Sequence, residues 1–317
     1  MQKLKIKTKG KSYALKDSPF YNLRTKKRLS ILLGCDTKDL PLLAKDDGNY
    51  NVFSIIGKAG KPRQIHKPIN KLDKIHTRIA SLICRINLPS YVHSGRKKHS
   101  NLTNAKAHLS ADGFDTKVLT TDIKDFFTST RKKQVFGFFY SDLKCTADVA
   151  NLLADMCTIH GHVPTGSRLS MVLAYWANYH LFEELSSLSK QHSVTMTVYV
   201  DDLTFSGTGV NELFKTVVRK VLSRYGHTMH PTKTKLYGKE SPKLVTGIVV
   251  KEGQLQIRNQ QFKELVTDFA CWHAIRQTPH AIFDPHTYRL LGRLNSMSSI
   301  DPVFKEKAQT VKGNTCR

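Results

Sequence analysis

The chain lacks paired cysteines, long apolar runs and a normal share of acidic residues. Its six cysteines (Cys35, Cys84, Cys145, Cys157, Cys271, Cys316) are scattered with no CxxC pair, which argues against a zinc ribbon and against a disulfide framework. Nothing approaches the roughly 18 consecutive apolar residues that a membrane span needs. The opening MQKLKIKTKGK is basic but no apolar stretch follows it, so a secretory signal is not expected. These absences predict a cytoplasmic, reduced protein with no membrane partner. Internal repeats and long low-complexity linkers are missing too. Only 25 Asp and Glu stand against 50 Lys and Arg, giving a formal charge of +25 and a pI near 9.8. So large an excess repels itself in a compact fold and is best explained by a polyanion, nucleic acid first. A solvated basic surface is the alternative.

What is present is otherwise ordinary. With 317 residues, 40% apolar and 24% charged, the chain has room for two or three subdomains around a sizeable core. Residues 1–50 read as a lysine-rich, mostly helical lead-in. Gly57 to Pro68 reads as a basic hairpin turning near Ala59-Gly60. Leu72, Ile75, Ile79, Leu82 and Ile83 predict a helix over 70–86, and Val149, Leu152, Leu153, Met156 and Ile159 another over 147–159. One helix is expected over 170–188 and one over 212–224. A strand is expected over 244–250, paired with 255–257 through Glu252-Gly253. Later helices carry Phe262, Leu265, Val266, Phe269 and Trp272, then Leu290, Leu291, Leu294 and Met297; the tail after Phe304 is expected to fray. Strands followed by helices in this order predict an α+β fold, a sheet with helices on one face and a helical appendage.

Two acidic elements carry the chemistry. Lys117 to Thr121 reads as a strand running into Asp122. Val194, Met196, Val198 and Val200 alternate with Thr195, Thr197 and Tyr199, the period of a half-buried strand. Asp201 and Asp202 interrupt it before Leu203 to Ser206 resumes, which makes a hairpin with carboxylates at its tip. If the two strands are neighbours, Asp122 meets Asp201. Clustered carboxylates repel unless cations lie between them, and two Mg²⁺ ions about 3.5–4 Å apart would satisfy them. Ile123 could add a carbonyl ligand. Asp-Asp alone is more often a turn; the strand alternation and the upstream Asp122-Ile-Lys-Asp-Phe-Phe127 favour the metal reading.

YVDD in an apolar hairpin, preceded by DIKDFF, resembles the palm motifs of reverse transcriptases. Asn104-Ala-Lys-Ala-His108 matches the NAxxH signature of bacterial retron reverse transcriptases, and Val245-Thr246-Gly247 their VTG signature. The resemblance covers roughly 55–305. It implies a right-hand polymerase fold: a basic lead-in over 1–50, fingers over 51–112, palm over 113–250 and thumb over 251–317. It implies that Asp122 and Asp201 bind two Mg²⁺ with Ile123 and Asp202 completing the centre. Phe127 falls at the steric gate against a ribose 2′-hydroxyl, Arg63 at the arginine that grips the triphosphate, and Lys233 at a lysine facing the leaving pyrophosphate. Asn104, Val245, Thr246 and Gly247 would contact RNA, and His108 would order backbone or contact RNA. The implied partners are deoxynucleotides, a cognate structured noncoding RNA, its branched DNA product (multicopy single-stranded DNA) and a separate effector protein in anti-phage defence.

One region departs from the pattern. Where the family reads LPQG, this chain has Val163-Pro-Thr165-Gly166-Ser-Arg168. Gly166 would still allow a close backbone approach near the templating pair; Thr165 replaces the family's long amide and Arg168 a proline, so the glutamine's role does not carry over. His160, His162, His227 and His230 are read as packed or solvated, not as metal ligands. Lys3, Lys5, Lys7, Lys9, Lys11, Lys26-Lys27-Arg28, Arg96-Lys97-Lys98 and Arg131-Lys132-Lys133 would bind phosphates without sequence information. Two alternatives stay open: another bacterial reverse transcriptase (group II intron or diversity-generating type), against which the short chain and the NAxxH and VTG pair speak, and an RNA-binding scaffold that has lost its chemistry.

Overall fold

A computed structural model of the protein describes residues 12–45, 48–57, 62–109 and 116–316, together with Ile6 and Gly60. The lysines at positions 3, 5, 7, 9, 11 and 61, and the turn residue Ala59, lie outside the described residues.

The chain begins with α1 (Lys26–Leu33) and α2 (Leu40–Leu43), then the ribbon β1 (Tyr50–Ile56) and β2 (Pro62–Pro68), α3 (Asn70–Ile83) and α4 (Asn101–Lys106). The central part follows: β3 (Val118–Asp122), α5 (Phe126–Ser129), α6 (Lys132–Gly137), α7 (Ala147–Cys157), α8 (Ser170–Ala177), α9 (Tyr179–Gln191), β4 (Val194–Tyr199), β5 (Asp202–Gly207) and α10 (Glu212–Arg224). It ends with β6 (Lys235–Tyr237), β7 (Lys243–Val245), β8 (Ile248–Lys251), β9 (Gln254–Gln256), α11 (Asn259–Ile275), α12 (Pro285–Met297) and α13 (Val303–Gly313).

The antiparallel sheet at the centre has the order β4-β5-β3-β6. Its strands form where β-branched residues alternate or run together: β3 is buried on both faces except at Thr120, as an inner strand should be. One apolar cluster runs from Phe20 through the helices and this sheet to Met229. The described part of the lead-in is therefore built into the main core: Phe20, Leu29 and Leu40 are fully buried there, and the Tyr13 hydroxyl donates to the Leu82 carbonyl at 2.6 Å. A second cluster, from Ile257 to Val311, holds α11, α12 and α13 together. Inside it the buried carboxylate of Asp268 accepts from Arg289 Nε (2.7 Å) and Arg293 Nε (2.6 Å).

Several expectations need correction. The basic hairpin starts seven residues before Gly57: Tyr50–Ile56 is its first strand, largely exposed, so its residues show no burial alternation. The helix expected over 170–188 is two helices broken at Asn178. That buried amide bonds Thr130 Oγ1 (2.9 Å), the Ala174 carbonyl (2.8 Å) and His227 Nε2 (2.7 Å), and these partners replace the regular helical path. The strand expected over 244–250 reverses at Thr246 and Gly247, both with positive φ (44° and 87°), so it is itself a tight hairpin. The tail is not frayed. Phe304, Ala308 and Val311 form the buried face of α13, and Trp272 Nε1 donates to Thr315 Oγ1 at 2.9 Å.

Phe304 is only 4% exposed, so Phe304→Ala should cost about 3 kcal/mol of unfolding free energy. Urea denaturation checks this; a change below about 0.5 kcal/mol, the value for an exposed site, would mean that α13 does not pack.

Candidate active site

Strand register brings the acidic residues together. In the β3–β5 pairing Asp122 lies opposite Asp202, and in β4–β5 Tyr199 lies opposite Asp202. Val200 and Asp201 make the two-residue turn between them. The Ile123 N–H donates to the Asp201 carbonyl at 2.9 Å, and the His230 N–H to the Asp122 carbonyl at 2.8 Å. The end of β3, the hairpin tip and the segment after α10 are thus tied at one point. Val200 has φ 61°, a conformation that a β-branched residue adopts rarely and at a cost. Its N–H donates to Ser94 Oγ at 3.0 Å, which helps hold it there. Ser94 was not foreseen, because nothing in its own neighbourhood marks it as a partner of residue 200.

Charge at this point is unbalanced. Asp122 is 6% exposed, and its Oδ2 accepts from Lys233 Nζ at 2.7 Å. Burial pushes the Asp201 carboxyl up to about 7, with repulsion from Asp122 and then Asp202 adding to it. Burial and then Asp122 push Asp202 up to about 6, and Lys233 partly offsets this. The hydrogen bond to Asp122 raises Lys233 in turn. Among the described residues no three His, Cys, Asp or Glu side chains are arranged as a metal-holding group. The carboxylates converge, and the lysine ammonium supplies the nearest positive charge.

A groove of ≈ 380 Å³ opens on this centre, lined by Asp122, Tyr199, Asp202, Lys233, Thr246 and Gly247 among others. Phe127 is half-buried on α5 and packs on Phe126, while Phe126 belongs to the core beside Phe182 and His227. Arg63 sits on the exposed part of β2, opposite Ile55. Gly166 lies against β2: a Cβ there would come within 2.7 Å of Ile65 Cγ2 and 2.9 Å of the His66 carbonyl oxygen. The close approach that it permits is therefore to the ribbon.

The proposed RNA-contacting set divides. His108 is buried, with Nδ1 bonded to Ser206 Oγ and Nε2 to Thr197 Oγ1, both at 2.7 Å, and burial lowers its pKa to about 3. It braces β4 against β5 and cannot face RNA. Asn104 and Val245 are buried as well. Asn104 Nδ2 donates to Thr246 Oγ1 (3.4 Å), and Thr246 Oγ1 donates to the Asn101 carbonyl (3.1 Å). The NAxxH helix and the VTG turn are thus two halves of one joint, and only Thr246 and Gly247 reach the groove. His227 is packed against Asn178 and Ser129, as the sequence suggested for it.

The architecture is that of the right-hand polymerases. Telomerase from Candida albicans shares it with a TM-score of 0.51 at 13% identity, over 86% of this chain and 55% of that one. Apo telomerase from Candida tropicalis gives 0.50 at 12% identity, over 66% of this chain and 55% of that one. In sequence the chain is similar to retron reverse transcriptases. It is 30% identical over 240 residues to the retron Se72 reverse transcriptase of Salmonella heidelberg, which spans 71% of this chain and 61% of that protein. It is 25% identical over 229 residues to the retron Ec86 reverse transcriptase of Escherichia coli, at 71% and 70%. The retron Mx65 reverse transcriptase of Myxococcus xanthus matches at 29% over 64% of this chain and 51% of its own length. The chain thus spans between half and about two thirds of these relatives. No family model matches it. No helix among the described residues is long and apolar enough to cross a membrane.

The raised carboxyls carry a pH signature. Asp201 and Asp202 hold protons more tightly folded than unfolded, so the stability they confer is greatest in acid and is lost as the pH rises through about 6 to 7. Asp201→Asn removes one of these charges. In EDTA its denaturation midpoint should exceed that of the wild type by more near pH 8 than near pH 4.5, and an equal gain at both would contradict the crowding of charge.

Proposed function

We propose that the protein is an RNA-directed DNA polymerase of the retron kind. The observation that carries this reading is the register that sets Asp122 opposite Asp202 beneath the Asp201 tip, in a chain similar to retron reverse transcriptases. The basic excess of +25 suits a template and product that are both polyanions.

The donor set fits hard divalent cations. Three carboxylates crowd one point, two of them with raised pKa values, and oxygen ligands of this kind suit Mg²⁺. Asp122 and Asp201 would hold two ions, with Asp202 and the Ile123 carbonyl completing the site. Bound there, the ions would lower the pKa of a 3′-hydroxyl and stabilise the charge on the departing pyrophosphate.

The chain's own groups do the rest. Lys233, already beside Asp122, places an ammonium in the groove where negative charge develops. Arg63 offers a planar fork for the triphosphate of the incoming deoxynucleotide, and Phe127 excludes a ribose 2′-hydroxyl. Thr246 and Gly247 line the groove along the path of a nucleic-acid strand. We assign the fingers to 51–112, the palm to 113–250 and the thumb to 251–317, with α4 packed on β4, β7 and β8 of the palm side.

The template is a cognate structured noncoding RNA, primed from an internal 2′-hydroxyl to give branched multicopy single-stranded DNA. The setting is anti-phage defence with a separate effector protein. These finer points rest on the NAxxH and VTG motifs read from the sequence.

Purified with its neighbouring RNA, deoxynucleotides and Mg²⁺, the protein should make DNA joined to RNA. Asp201→Ala with Asp202→Ala should reduce synthesis by a factor of at least about 10³, with RNA affinity, read by filter binding, changed little. Full synthesis by the double variant would overturn the assignment. Extension of ordinary primers alone would favour another class of bacterial reverse transcriptase. Phe127→Ala should admit ribonucleotides, read as the ratio of ribonucleotide to deoxynucleotide incorporation; an unchanged ratio would remove Phe127 from the gate.

A further inference from the structure

The loop 163–169 is bonded to two separate parts of the site, and its two departures from the family pattern make key bonds. At its start the Val163 N–H donates to the Thr130 carbonyl at 3.0 Å, at the end of the turn of helix that carries Phe127. One residue on, the Pro164 carbonyl accepts from Ser170 Oγ at 2.5 Å, which fixes the loop to the start of α8.

Thr165 then reaches the fingers ribbon. Its Oγ1 donates to the Gln64 carbonyl at 2.7 Å and accepts from the His66 N–H at 3.3 Å. A donor and an acceptor on alternate residues of β2 are what a third strand would satisfy; here a single hydroxyl does so. Gly166 follows in contact with Ile65 and His66, with no room for a Cβ.

Two further bonds fix α3, which continues from β2. Ser167 Oγ lies 2.7 Å from His76 Nδ1, and His76 Nε2 lies 2.7 Å from the Met156 carbonyl. The carbonyl can only accept, so Nε2 carries the proton and Nδ1 accepts from Ser167. Arg168 Nη1 reaches both oxygens of Asp73, at 2.6 and 2.8 Å.

These bonds reach the ribbon outward from its inner end, where Tyr50 bonds the Thr158 carbonyl and His66 packs on His160 and His162. Val52, Phe53, Ile55 and Ile56 of β1 are exposed, and in β2 only His66 and Pro68 are buried. Arg63 is adjacent to Gln64, whose carbonyl Thr165 holds. The loop therefore links the element bearing Phe127 to the strand bearing Arg63.

We infer that Thr165 and Arg168 are positioning residues that fix the Arg63 strand over the site and so set the affinity for the incoming deoxynucleotide. This rests on the reading of Arg63 given under Proposed function. In place of a long amide, this chain uses a short hydroxyl clamp directed at the fingers and a guanidinium clamp on the helix behind them.

Steady-state primer extension with varied deoxynucleotide tests it. Thr165→Val keeps the shape and loses the hydroxyl; KM for the nucleotide should rise about tenfold, with kcat changing by less than about twofold. Thr165→Ser should stay within about twofold of the wild-type KM, and Arg168→Ala, which removes the Nη1 bonds to both Asp73 oxygens, should raise it about fivefold. In an Arg63→Ala background Thr165→Val should add no further rise. KM raised by Arg63→Ala but unmoved by Thr165→Val, even with a lowered melting temperature, overturns the inference alone. So does a Thr165→Val effect that persists undiminished without Arg63. KM unmoved by Arg63→Ala overturns the reading of Arg63 and the inference with it. Should Thr165→Val fail to fold, Arg168→Ala, alone and in the Arg63→Ala background, carries the same comparison, and a KM unmoved by it overturns the inference.

Discussion

The register between β3 and β5 is the constraint on which the site depends. Asp122 and Asp202 are cross-strand partners, and the Ile123 N–H is bonded to the Asp201 carbonyl, which brings Asp122 and Asp202 close enough to repel the Asp201 carboxylate. Like charges opposite one another in a sheet destabilise it, and burial worsens the repulsion. The surroundings answer that cost locally: Lys233 pairs with Asp122, and two of the acids hold their protons to unusually high pH. A one-residue slip of the hairpin would send every apolar side chain of β5 to the wrong face, which is why the core below keeps the charges above in position.

Around that point the molecule separates support from contact. The NAxxH and VTG segments meet as a structural joint, with His108 bracing two strands and Asn101 and Asn104 holding the Thr246 turn. Only the tip of the joint faces the groove. The hub at Asn178, His227, Ser129 and Gln134 does similar work, joining α5, α6 and the break between α8 and α9 to the segment after α10. The C-terminal helices form a second core of their own, touching the main body's satellite cluster through Ile300.

Much of this was legible in the sequence where a period or a sharp motif existed. The alternation through Val194 to Tyr199 gave the strand, its turn and the acidic tip; the apolar stripe from Phe214 to Leu222 gave a helix whose bounds the structure matches. The convergence of Asp122 with Asp201 and Asp202 followed from the two motifs together. Long-range features left no local trace. The break at Asn178 depends on His227 and Thr130, and the helix α13 depends on Trp272 receiving it. Val245-Thr246-Gly247 was visible as a motif, but its turn and its partner Asn101 were not. The first strand of the ribbon was missed because it is exposed on both faces and so has no period. Thr165 and Arg168 looked like losses, because their partners Gln64 and Asp73 lie some hundred residues upstream.

The central claim is that residues 122, 201 and 202 surround one cation-binding point. Iron-directed hydroxyl-radical cleavage tests it most directly: Fe²⁺ replaces Mg²⁺, ascorbate and peroxide generate radicals at the metal, and the cut positions are read by mass spectrometry. The account predicts that the backbone is cut beside 122 and beside 201–202 together, and that Mg²⁺ suppresses both cuts. Cleavage at only one of the two segments, or elsewhere in the chain, would contradict it.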